Sequence, residues 1–116
     1  MSKATIWVRY EAPGWHNWPG APDHRAYLRY EHRHLFHVEA RREVAHDDRA
    51  LEFHDVRDVL ELAWGGMTGA NQALGARSCE MMARELINAL VGRFGDGPPW
   101  TVSVSEDGEC GAVVTA

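Results

Sequence analysis

The chain has little cysteine, no long apolar run and no block of like charge. Cys79 and Cys110 are the only two cysteines in 116 residues, and no CxxC pair occurs. That argues against a disulfide framework and fits a reducing compartment. No apolar run approaches the roughly 18 residues that a membrane span needs. The opening MSKATIWVRY lacks the basic start, long apolar stretch and small-residue cleavage site of a secretory leader. The expectation is a cytoplasmic protein with no membrane partner. The formal charge is −5 at pH 7 and is spread along the chain, which argues against a nucleic-acid partner.

Apolar residues make up 45% and charged residues 25%, the balance of a globular chain. A length of 116 residues suits one domain, 1–116, with one core. Histidine is the residue in excess. Five of the seven histidines, His16, His24, His32, His34 and His37, fall in the first 40 residues. Histidine is the commonest metal ligand and the usual acid or base near neutral pH.

There is no internal repeat. Residues 4–10 (ATIWVRY) are β-branched and aromatic and read as a strand. Residues 11–25 hold Pro13, Gly14, Pro19, Gly20 and Pro22 and read as an irregular excursion. A longer strand covers 32–44. His32, His34, Phe36, Val38 and Ala40 share its inward face, and Arg33, Leu35, His37, Glu39 and Arg41 share the other. After the turn AHDDRA, the segment LEF reads as a short continuation of the sheet. Residues 55–64 show helical spacing through Val56, Val59, Leu60 and Ala63, with Asp55 as the expected cap. The Gly-rich stretch GGMTGANQALGA shows no period and reads as a loop. Ser78 is the expected N-cap of a second helix over 79–94, buried through Met82, Ala83, Leu86, Ile87, Leu90 and Phe94. Gly95, Gly97, Pro98 and Pro99 end it. Two last strands, WTVSVSE and CGAVVTA, flank the turn signal Asp107-Gly108. The expected fold class is α+β in the order ββααββ. It has a four-stranded antiparallel sheet, two helices on one face and open edges that invite self-association.

His32 and His34, at i and i+2 on a strand, have Cα atoms about 6.8 Å apart on one face, so their rings can converge on one ion. The third ligand must come from another segment; His16 is the first candidate and His24 the second. Three histidines with an open position make a catalytic rather than a structural metal site. His37 points the other way, and His46 and His54 read as turn and helix-start residues. Glu106 follows the inward Val102 and Val104. It either reaches water at the rim or sits in a pocket. In a pocket it needs a partner with two parallel N–H donors, such as a guanine-like or pterin-like ring or an arginine. Cys79 and Cys110 read as packing residues.

Taken together, these motifs resemble the 6-pyruvoyl-tetrahydropterin synthase / 6-carboxytetrahydropterin synthase family, whose subunits adopt the tunnelling fold (T-fold). The resemblance rests on His16 after the first strand and on His32-Arg33-His34 opening the second. It rests also on Glu52-Phe53-His54-Asp55 before the first helix, Ser78-Cys79-Glu80-Met81-Met82-Ala83 opening the second, and Glu106 after the third strand. It implies an oligomeric barrel, a trimer or a dimer of trimers. It implies zinc held by His16, His32 and His34, with Glu106 gripping a pterin- or purine-like small molecule. The implied activity is that of a zinc-dependent carbon–oxygen lyase or synthase on a dihydroneopterin-triphosphate-like substrate. Two departures stand against turnover. Residues 26–31 (AYLRYE) lack the cysteine of the family pattern, and Gly65 to Arg77 holds neither the aspartate nor the histidine of its proton relay. Glu31, His24 and Asp23 are the candidate stand-ins as catalytic base. The alternatives to an enzyme are a metal- and heterocycle-binding module without chemistry, and an oligomeric scaffold. Arg25, Arg29 and Arg33 are the arginines nearest the expected site.

Overall fold

A hairpin of two long strands organises the molecule, whose computed structural model describes residues 2–116. Strand β1 runs Ala4–His16 and β2 runs His32–Val44, paired antiparallel from Ala4↔Val44 to His16↔His32. Helix α1 (Phe53–Thr68) follows, then strand β3 (Ala73–Gly75), helix α2 (Cys79–Phe94), and strands β4 (Trp100–Glu106) and β5 (Cys110–Thr115). The sheet order is β3-β1-β2-β4-β5. Even-numbered residues of β1, β2 and β4 face one core with both helices. Phe36, Val102, Val104, Leu60, Met82, Leu86 and Leu90 are fully buried there. The two-helices-on-one-face expectation therefore holds in an α+β fold. No helix among the described residues is long and apolar enough to cross a membrane.

The sheet has five strands rather than four, and it is mixed rather than antiparallel, because β3 pairs parallel with the end of β1. Trp15 N–H donates to Gln72 O at 2.8 Å and Asn17 N–H to Gly75 O at 2.9 Å, while Leu74 fills the core. Three residues are too few to show a period, so this strand takes its order from its partner. The stretch read as a loop is structured throughout. Helix α1 continues to Thr68 because Met67 and Thr68 are buried, and Gly69, at φ 61°, ends it.

β1 also runs past its expected end at residue 10, through Pro13, to His16. Its outer edge is unpaired until Trp15, so the N–H that proline lacks is not missed by a neighbouring strand. The LEF segment is not strand. Glu52 caps α1 in place of Asp55, its carboxylate accepting the N–H groups of His54 (2.8 Å) and Asp55 (3.1 Å). Ser78 caps α2 as expected, accepting Met81 N–H at 3.2 Å. The Asp107-Gly108 turn also forms, with both residues at positive φ (58° and 71°).

Candidate metal centre

Register brings the histidines together. His16 and His32 are cross-strand partners at the end of the β1–β2 hairpin. Gly14 is the partner of His34, and Phe36 lies between Ala12 on β1 and Glu106 on β4. Directly opposed residues share a face, so all three imidazoles and the Glu106 carboxylate project to the helix-covered side. The ring centroids are 4.5 Å (His16–His32), 5.0 Å (His32–His34) and 5.3 Å (His16–His34) apart, and Phe36 meets His16 and His34 edge-on from below. Gly14 leaves the room this needs: a Cβ there would come within 2.7 Å of Leu74 Cδ1 and 3.1 Å of the Phe36 ring.

Each ring is fixed from behind. His16 Nδ1 lies 3.0 Å from Arg77 O, His32 Nδ1 2.9 Å from Tyr30 O, and His34 Nδ1 2.7 Å from Asp107 Oδ2. A carbonyl or carboxylate oxygen only accepts, so in each neutral ring the proton sits on Nδ1 and the lone pair on Nε2. This is the outer-shell arrangement of metal-binding histidines. One donor atom from each of His16, His32, His34 and Glu106 lies within 4.8 Å of the others, so this group could hold a metal ion.

Glu106 Oε2 is 2.8 Å from His16 Nε2 and 3.5 Å from His34 Nε2. His16 is 8% exposed, and its Nε2 has no hydrogen-bond geometry to any partner. The 2.8 Å approach is thus a buried lone pair facing a carboxylate oxygen, which calls for a positive charge between or beside them. The donor set of three imidazoles and one carboxylate suits a divalent transition ion such as zinc.

A cavity of about 460 Å³ opens beside the group. His16, His32, Glu106, Trp18, Leu28 and the start of α2, including Cys79, are among its walls. Burial, and then the Glu106 charge, push the Cys79 thiol up to about 12, so it stays protonated at neutral pH. Cys110 is exposed, not packed in the core as expected, because it opens β5 at the hairpin end. Its Sγ lies 3.7 Å from Glu106 Oε1.

His16, His32 and His34 come together, and Glu106, which the sequence offered only as a rim residue or a ligand-gripping one, stands with them. Asp23, His24 and Glu31 do not join them within the chain. All three are exposed, Asp23 pairs with Arg29 at 2.8 Å, and none lines the cavity. His24 is thus no metal neighbour of His32 and His34. Arg25 and Arg33 are exposed away from the cavity, and Arg29 is held by Asp23 and Ala21 O. His37 faces the open side and pairs with Glu11 at 3.2 Å, as parity required.

Sequence reasoning missed Asp107. Its Oδ1 accepts Leu35 N–H at 2.8 Å while Oδ2 takes His34 Nδ1, and the His34 hydrogen bond holds its carboxyl below the usual range. The one available signal was its place next to Glu106, opposite the strand that carries His34. Trp18 and Cys79 were also missed as cavity walls.

No family model matches the chain, and no curated protein matches it. Function is therefore read from the geometry.

Proposed function

We propose that the protein is a zinc-dependent T-fold protein that presents a His16–His32–His34 metal centre to a small pterin- or purine-like heterocycle. The single observation that carries this reading is the buried, unpartnered Nε2 of His16 facing Glu106 while all three Nδ1 atoms are tied down. A bound divalent ion would supply Lewis acidity toward a hydroxyl or carbonyl oxygen of the ligand. The chain's own residues do the rest. His16, His32 and His34 hold the ion, and Asp107 and two backbone carbonyls hold the rings in their metal-binding tautomer. Glu106 sits on both the metal group and the cavity wall. There it would help to hold the ion, and it would offer acceptors to ring N–H groups on the cavity side. Trp18, Leu28 and Met81 supply apolar wall to the cavity. The open outer edges of β1 and β5, and the exposed Trp7 and Val113 on the helix-free face, support assembly with further copies of the chain.

Turnover as a lyase or synthase is the second reading, favoured by the Cys79 thiol in the cavity wall. It shares that wall with Glu106 in a chain that lacks the family's cysteine ahead of the second strand. The test of the main reading is calorimetric titration of neopterin and of guanine into zinc-loaded and chelator-treated protein. Binding is expected in the zinc-loaded form and at least about tenfold weaker after chelation or in Glu106→Gln, since a charge-assisted bond is lost. Failure of both compounds to bind the zinc-loaded protein contradicts the reading.

A further inference from the structure

The three rings of the metal group are not fixed from behind in the same way. His32 Nδ1 rests on Tyr30 O, two residues back along the chain, and His34 Nδ1 rests on Asp107, in the turn after Glu106. His16 Nδ1 rests on Arg77 O, 61 residues away in sequence. That carbonyl belongs to residues 76–78, the connector between β3 and α2. Neither a strand ladder nor a helix turn holds this connector in place. Gly75 and Ala76 are exposed, so packing does not hold its start either. All three connector residues line the cavity, beside His16 and His32.

The Arg77 side chain supplies the anchorage that the backbone lacks. Its Nε and Nη2 donate to the two oxygens of Glu85 on α2, at 2.5 and 3.3 Å, as a two-pronged bond. Its Nη1 donates to Leu74 O of β3 at 3.0 Å and to Met67 O of α1 at 3.4 Å. Met67 lies in the last turn of α1, where carbonyl oxygens lack partners within the helix and the dipole is negative. Helix α1 has no basic residue of its own in that turn, so Arg77 brings the cation from outside. One planar guanidinium thus ties α1, β3 and α2 together, which a lysine ammonium could not do in the same geometry. A half-exposed ion pair of this kind adds little to global stability. Its effect is local: the residue whose carbonyl fixes His16 is the residue whose side chain is clamped to three elements.

We infer that Arg77 is a positioning residue of the metal centre: its guanidinium clamp holds the connector so that the Arg77 carbonyl keeps His16 in the Nδ1–H tautomer, with Nε2 turned toward the ion. This rests on the metal-centre reading above and adds to it a residue that does not itself hold the ion. The test uses the full chain and two readouts. Zinc affinity is measured by competition with a chromogenic chelator, and the tautomer of each histidine by long-range nitrogen–proton correlation of the imidazoles in the metal-free protein. Arg77→Met removes the guanidinium and keeps the apolar stem. Arg9→Met breaks the Arg9–Glu39 pair on the helix-free face and serves as the control. Arg77→Met is expected to weaken zinc by about tenfold, as loss of an outer-shell support does. In the same variant His16 should show a mixture of tautomers while His32 and His34 keep theirs. Arg77→Lys, which retains the charge without the fork, should fall between Arg77→Met and the wild type, and Arg9→Met should match the wild type in both readouts. An unchanged His16 tautomer in Arg77→Met overturns the inference whatever the affinity, and so does an equal disturbance of all three rings, which would be general loosening. Either result leaves the metal centre standing. If the wild type itself takes up no zinc, the functional reading falls and this inference falls with it.

Discussion

His34 and His37 stand on the same strand, and each has a carboxylate at its Nδ1: Asp107 Oδ2 at 2.7 Å and Glu11 Oε1 at 3.2 Å. Their surroundings differ completely. His34 faces the helices, where His16, His32 and Glu106 gather around it over Phe36. His37 faces the uncovered side, beside Arg9, Glu39 and Arg41, where Glu39 accepts from both arginines. On the open face the charges around His37 have opposite neighbours and water within reach, so the pairs satisfy one another and contribute little. On the covered face the second nitrogens are aimed at one another and at a carboxylate, and one of them is buried without a partner. The same residue types thus make an ordinary polar surface on one side of β2 and a ligand set on the other. Strand parity and register decide which.

The contrast breaks most visibly at the layer beneath the rings. Phe36→Ala removes a fully buried ring that supports His16 and His34, and should cost about 3–5 kcal/mol. The neighbouring Leu35→Ala, on the open face, should cost under about 1 kcal/mol, both read by chemical denaturation of the apo protein. Similar losses for the two would mean that the covered face does not carry the stability.

A smaller effect separates the two carboxylates. Asp107→Asn should weaken zinc binding by about tenfold in competition with a chromogenic chelator, because it loosens the orientation and basicity of His34. Glu11→Gln should leave zinc affinity unchanged although it also touches a histidine. Equal effects from both substitutions would reduce Asp107 to a surface charge.

Much of this contrast is legible in the sequence alone. The alternation of β2 puts His32, His34 and Phe36 on one side and His37 on the other, and the burial of Phe36, Val38 and Ala40 agrees. Helix α2 has its expected bounds because Ser78 caps it and a run of glycine and proline stops it. What could not be read was non-local. β3 is three residues long and exists because the end of β1 offers it hydrogen bonds. β1 reaches His16 past Pro13 because its pairing with β2 continues to the tip. The His34–Asp107 contact spans the chain, and it depends on a β2–β4 register that composition does not encode. Glu52 rather than Asp55 caps α1 because the helix begins at Phe53, two residues before the expected start, which leaves Asp55 inside the first turn.

The central claim is that rings from two separated stretches share one ion. Metal analysis by mass spectrometry of the purified wild type, the His32→Ala/His34→Ala double variant and His37→Ala tests it most directly. The account predicts about one divalent ion per chain in the wild type and in His37→Ala, and none in the double variant. Metal retained in the double variant, or absent from all three after zinc loading, would contradict it.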